Sequence, residues 1–286
     1  ITFTYDELNR LKSRTDNNGF TVSYGYDAAG NLVSLTYPDN KTVTYTYDAL
    51  NRLSTVTDWV GRTAAYNYDA AGRLTSLTQF NGTMVNYTFD NANRLTGLDH
   101  LTAPGGNALA AYRFVLDNNG NRITTTQTVP MEPCPMAMET VYTTNPEKNR
   151  LLAAGSDTFT YDDEGQLISA YGNSLTFDPE HRLENITGTA DVQYKYDAQG
   201  NRVEVIKDGN ITRYIYDASG NLLAEADDQN QIQRYYIHGA GLLAMVTTDN
   251  TQYCYHFDAT GHTIALTDTS KTIINTYAYL PFGSLT

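Results

Sequence analysis

The residues of this 286-residue chain that offer chemistry are carboxylates set at a regular step. Asp6, Asp27, Asp48, Asp69 and Asp90 stand 21 residues apart, and Asp162, Asp197, Asp217 and Asp258 continue the series at looser intervals. A ladder of carboxylates is a donor set that calcium can take, because hard cations bind oxygen. The fixed place of each Asp favours a plainer role. A short acidic side chain at the start of a turn accepts hydrogen bonds from the backbone amides that follow it. Asp117-Asn118-Asn119-Gly120-Asn121 has the outline of half a calcium loop, but its Gly falls two residues early and no Glu stands at the twelfth place. His256 and His262 flank one of these turns. A shared zinc would need one or two further ligands there, and none is evident. Cys254, between Tyr253 and Tyr255, faces away from both rings if the segment is a strand. With no base or cation beside it, it reads as a packed thiol rather than a nucleophile. The expectation is therefore no catalytic residue, no metal and no cofactor.

The elements that hold these residues are legible from the same repeat. An aromatic or near-aromatic pair precedes each Asp: Tyr5, Tyr26, Tyr47, Tyr68, Phe89, Tyr161, Phe177, Tyr196, Tyr216 and Phe257 stand directly before it. In several units a second ring lies two residues earlier, as Tyr24, Tyr45, Tyr66, Tyr87, Tyr194 and Tyr214. Period-2 alternation is a strand signal. Three residues after the Asp comes Gly or Asn: Asn9, Gly30, Asn51, Gly72, Asn93, Gly120, Gly165, Gly200, Gly220 and Gly261, with His181 the exception. These residue types tolerate positive φ, so the spacing predicts a tight hairpin turn with a left-handed residue at that place. A second strand and a second turn complete the unit, as at Asn81-Gly82 and Asp249-Asn250. About fourteen such units fill residues 1–286 as a single array. Two insertions interrupt it: a Pro/Met-rich one at 124–139, read as a loop because proline cannot sit in a central ladder, and a smaller one at 98–111. The fold class is all-β, built of antiparallel hairpins. Two units make 42 residues and four strands, the size of a propeller blade, so a β-propeller is the alternative.

Composition narrows the function classes. Nineteen Lys and Arg against 32 Asp and Glu leave a net charge of −13, which excludes a basic surface for nucleic acid or anionic membrane. No stretch approaches the ~20 apolar residues of a membrane helix, and Ile1 to Asp6 is strand-like rather than a signal sequence. Cys134 and Cys254 are too few for a disulfide framework. The 23 Tyr against 9 Phe and 1 Trp favour pleated surfaces. The rings offer platforms on which sugars stack, or more simply a cross-strand ladder.

The unit Tyr26-Asp27-Ala28-Ala29-Gly30-Asn31-Leu32 resembles the YD repeat of the Rhs/YD-repeat family, and the motif recurs along nearly the whole chain. Arg213-Tyr214-Ile215-Tyr216-Asp217 and Arg234-Tyr235-Tyr236-Ile237-His238-Gly239 are similar to the later part of an Rhs core, and Tyr277-Ala278-Tyr279-Leu280-Pro281-Phe282-Gly283 to the segment shortly before its end. The resemblance implies a sheet that spirals into a hollow shell, as in Rhs toxins, Tc-toxin C components and teneurins. It implies a secreted or cell-surface protein that encloses or scaffolds a toxin cargo. Its edge strands, near Thr2 to Tyr5 and Ile273 to Tyr279, would be completed by the rest of a parent chain or by other copies stacking into a tube. An adhesion or carbohydrate-binding surface is the alternative. The family's self-cleaving aspartyl region is not matched. Asp178-Pro179 is the one Asp-Pro pair, and it lacks the Gly-Leu that follows in that motif.

Overall fold

The computed structural model describes residues 1–131, 141–189 and 191–279. Those residues form strands and tight turns and no helix. Their strands make two antiparallel sheets, of 12 and 15 strands, in which every strand pairs with its neighbours in sequence. Neither sheet pairs its first strand with its last. Among the described residues no four-stranded blades form, so the propeller alternative is set aside. The strands are short because each repeat spends about half its residues on corners: Thr21–Tyr26, Leu32–Thr36, Thr42–Tyr47 and Leu53–Thr57 are typical. Thr, Val and Tyr dominate them, the residue types that fit a half-buried pleated surface.

Two compact units divide the chain. One holds residues 2–134 with 234–286, the other 135–233 with Ile1. In the first, strands from the two sheets face each other. Val22, Val43, Val56 and Ala64 from one side, and Ile237, Ala244, Val246 and Cys254 from the other, are fully buried. Polar bonds cross between the faces: the Tyr37 hydroxyl donates to the Tyr236 carbonyl at 2.8 Å, and the Trp59 indole N–H donates to Asn250 Oδ1 at 2.9 Å. Trp59 packs edge-on between Tyr37 and Tyr235 at centroid distances of 5.6 and 5.0 Å. In the second unit the buried set is smaller, with Phe159, Val192, Ile215, Leu223 and Ala224 at its centre.

The residues at 98–111 are not a loose excursion. They lengthen a hairpin, Leu95–Leu101 with Ala108–Leu116. The expected loop at 124–139 begins later than its sequence suggests, because Arg122–Thr128 is a strand paired with Ala108–Leu116. Its Thr-rich sequence suits an exposed edge, and no proline lies within it. Residues 132–140, and with them Cys134 and two of the three prolines, lie outside the described residues.

Candidate functional site

The repeated corner is the chain's most frequent site, and its chemistry is local. Asp6 N–H donates to the Arg10 carbonyl at 2.9 Å, and Asn9 N–H donates to the Asp6 carbonyl at 3.0 Å. That is a three-residue loop whose last residue must be left-handed. Asn9, Asn51 and Asn93 have φ of 62, 57 and 63°. Gly30, Gly72, Gly120, Gly165, Gly200, Gly220 and Gly261 lie between 83 and 98°. His181 takes the same conformation at 62°. One Asp oxygen caps the loop, accepting from the amides two and four residues on, as Leu8 and Arg10 do for Asp6. Asp27, Asp48, Asp69, Asp90, Asp197, Asp217 and Asp258 begin loops closed by the same two backbone bonds, as does Asp162. These bonds hold the carboxyls of Asp6, Asp48 and Asp69 below the usual range, the Arg amide four residues on being the largest cause in each. With their lone pairs committed to amides, the carboxylates are turn caps. Among the described residues no three His, Cys, Asp or Glu side chains converge as a metal-ligand set.

The second Asp oxygen joins one repeat to the next. Arg52 Nε donates to Asp48 Oδ2 at 2.7 Å. The same guanidinium lies over the Tyr68 ring at 4.5 Å. Arg10 over Tyr26, Arg73 over Phe89, Arg150 over Tyr161 and Arg182 over Tyr196 repeat that stacking. Arg73 Nη1 also donates to the Asp90 carbonyl of the following corner at 3.0 Å. The Tyr hydroxyl points back. Tyr47 donates to the Leu32 carbonyl, Tyr68 to Leu53, Tyr196 to Leu183 and Tyr216 to Arg202, at 2.8 to 2.9 Å. Each accepting residue sits at a β-bulge: Tyr26 faces Leu32 while Gly25 faces Ser34, so Val33 is the extra residue. A bulge disrupts the ladder, and the phenol of the next repeat bonds the carbonyl there. Phe89 and Phe257 fill the aromatic position without a hydroxyl. Tyr5, at the first strand, is 57% exposed.

Sequence reasoning expected a second turn in each unit but did not single out the Asp residues that lead several of them. Asp16, Asp58, Asp227 and Asp268 form the same loop, with Gly19, Gly61, Asn230 and Lys271 left-handed. The signal was present as Asp-x-x-Gly in Asp16 to Gly19 and Asp58 to Gly61, but Thr rather than Tyr precedes the Asp.

His256 and His262 do not face a common point. His262 is exposed, and its Nδ1 lies 2.9 Å from Thr260 Oγ1 and 3.2 Å from Asp258 Oδ2. His256 is buried and meets His100 from the facing sheet, Nδ1 to Nδ1 at 3.2 Å. The proton positions follow from the partners. His100 Nε2 must donate to the Phe257 carbonyl at 2.8 Å, which leaves its Nδ1 to accept from His256. His256 Nε2 then accepts from the Thr267 hydroxyl at 2.9 Å, and Thr267 accepts from the Asn81 amide at 2.9 Å. Burial lowers both pKa values, His100 to about 4 and His256 to about 3, so both are neutral near pH 7. This is a directional relay bridging two sheet faces rather than a metal site. Cys254 is fully buried, and burial pushes its thiol up to about 12, far from nucleophilic. Asp178 of the Asp-Pro pair is a corner residue. Desolvation opposes its ionisation, but bonds from the Arg182 backbone and guanidinium outweigh that, and its pKa falls. A carboxylate so engaged is poorly disposed to attack its own peptide bond.

A family model described as RHS Repeat matches residues 5–42, 26–63 and 68–108. The chain is similar in fold to a solved Photorhabdus luminescens Tc holotoxin pore carrying a mutant TccC3, at 16% identity and a TM-score of 0.67. It also resembles a TcdB2-TccC3-Cdc42 crystal structure at 16% identity and a TM-score of 0.64, and a TcdB2-TccC3-TEV structure at 15% and 0.64. Each likeness covers 99% of this chain but only 18 to 19% of the matched one. This chain thus spans about a fifth of the solved chains it matches. None of the curated proteins matches it.

Proposed function

We propose that this chain, whose residues 5–42, 26–63 and 68–108 match RHS repeats, is a structural wall segment of a toxin shell of the Rhs/YD-repeat kind, not an enzyme. The observation that carries the reading is the coupling of successive hairpins. Arg52, paired with Asp48, stacks on Tyr68 of the following repeat, whose hydroxyl returns to the Leu53 carbonyl at the preceding bulge, and Asp178, Arg182, Tyr196 and Leu183 repeat the link. Such wiring makes a continuous sheet from units that have too little apolar area to fold alone, the physical logic of a repeat array. It spends the chain's carboxylates, guanidiniums and phenols on the wall itself. The wall's role is physical: it separates an enclosed polypeptide from solvent until delivery outside the cytoplasm. The likeness to about a fifth of much longer Tc-toxin chains supports a segment rather than a whole shell.

The carbohydrate-binding alternative is less well supported. A sugar stacks on an open ring face, and arginines lie over Tyr26, Tyr68, Tyr161 and Tyr196. The terminal strand Thr2–Tyr5 pairs on one side only, with Leu11–Thr15. That edge is where the remaining wall, or another copy, would pair. Size-exclusion chromatography with light scattering, followed by negative-stain imaging of the 286-residue chain, tests the reading. Concentration-dependent association through these ends, or rings and tubes, supports it. A monomer at all concentrations, with its edges protected from hydrogen exchange, contradicts it.

A further inference from the structure

We propose that the first unit holds a binding site for a small neutral aromatic molecule bearing one O–H or N–H donor, a phenol or an indole, in the cavity between its facing strands. The cavity has a volume of about 190 Å³ and lies between Leu77, Val85 and Leu98 on one side and Leu243 and Phe257 on the other. A cavity of about 150 Å³ with such a lining accepts benzene. It adjoins a shallower apolar cleft of about 400 Å³, which shares Leu77, Tyr87, Leu242, Leu243 and Phe257 and supplies the route in.

The ligand's polar requirement comes from Gln79. This residue lines the cavity and is 2% exposed. Its Nε2 donates to the Tyr255 carbonyl at 2.8 Å, which fixes the orientation of the amide. Its Oε1 is buried with no hydrogen-bond partner. A buried acceptor left unmet is costly, so a donor arriving there gains more than it would at the surface. Two other polar groups of the lining, His100 and Asp258, are already engaged. His100 has both nitrogens committed, to His256 and the Phe257 carbonyl. Asp258 accepts from the Thr260 and His262 amides. Its carboxylate disfavours an anion, so the ligand is the neutral phenol rather than a phenolate or an aryl acid. Tyr255 and Phe257, stacked at 5.9 Å, give the pocket an aromatic wall suited to a ring.

Titration calorimetry of the 286-residue chain with phenol and with toluene, its near-isostere, tests the proposal. A purely apolar cavity prefers toluene. An available Gln79 oxygen reverses that order, with phenol bound about tenfold tighter. Gln79→Met should restore the preference for toluene, and Leu98→Phe, which fills the cavity, should abolish both. The Gln79 side-chain amide ¹⁵N resonance should shift with phenol and not with toluene, a readout that stands even if Gln79→Met fails to fold. Binding of N-acetyl-tyrosinamide as well as phenol would assign the pocket to a side chain presented by a polypeptide; binding of phenol alone would assign it to a free small molecule. If neither ring binds, if toluene binds more tightly to the unsubstituted chain, or if the order survives Gln79→Met, the proposal is overturned.

Discussion

The buried His100–His256 relay makes the stability of the first unit sensitive to acid above the range where the carboxylates respond. Both imidazoles have folded pKa values below the ordinary 6.5, about 4 and about 3, because burial removes the solvent that would stabilise their charge. Asp99 and Asp258 favour the charged form of His100 but do not overcome burial. For a base with a depressed folded pKa, the unfolded chain binds the proton first. Stability is therefore full above about pH 6.5 and falls as pH drops towards the folded values. Linkage puts the loss between pH 7 and pH 5 at about 2 kcal/mol for each histidine, with the coupled pair somewhat short of twice that. Capped carboxylates such as Asp48, whose pKa is lowered, withdraw their stabilisation only as pH falls through the carboxylate range. The perturbation is His100→Gln with His256→Gln, which keeps neutral polar side chains at both places. Urea unfolding at pH 7 and pH 5, followed by the fluorescence of Trp59 in this unit, reads the difference. The unsubstituted chain should lose several kcal/mol more over that interval than the double variant. Equal losses in the two proteins would show that the pair does not remain neutral and buried as argued.

Three further predictions concern the corners and the core. Tyr68→Phe removes only the hydroxyl that meets the Leu53 carbonyl and should cost about 1 kcal/mol, whereas Phe89→Tyr should gain a comparable bond to the preceding bulge; paired denaturation curves check both signs. Gly72, at φ 83°, should resist Val by on the order of 1–2 kcal/mol or more, while Gly72→Asn is well tolerated, as judged by thermal unfolding. In a Cys134→Ser background the buried Cys254 should react with a disulfide reagent only as fast as the unit unfolds, and prompt labelling of native protein at neutral pH would contradict its burial and raised pKa.

What was legible in the sequence was local. The step from Asp27 to Gly30 spans one turn, and turn chemistry depends on residues three or four apart, so the corners and the strands between them follow from spacing. The corners led by Asp16 and Asp58 were harder to see because Thr replaces the aromatic that marks the others. The Arg–Tyr stacking is the next range out. Arg52 and Tyr68 lie one repeat apart, and only their shared position on the sheet brings them together. The contacts between facing strands left no local trace. His100 meets His256 across 156 residues and Gln79 meets Tyr255 across 176, and nothing near any of the four announces the partner. His256 therefore looked like a companion of His262, six residues on, while its true partner lay on another sheet. Hydrophobic period places a residue on a face; it does not say which other face covers it.

Cryo-electron microscopy of the polypeptide as its gene encodes it distinguishes a stretch of wall from a catalytic or adhesive domain. A wall segment should show a strand paired with the free side of Thr2–Tyr5 and a sheet that continues around a lumen containing polypeptide. A free, solvated Thr2–Tyr5 edge and no enclosing sheet would contradict the wall reading.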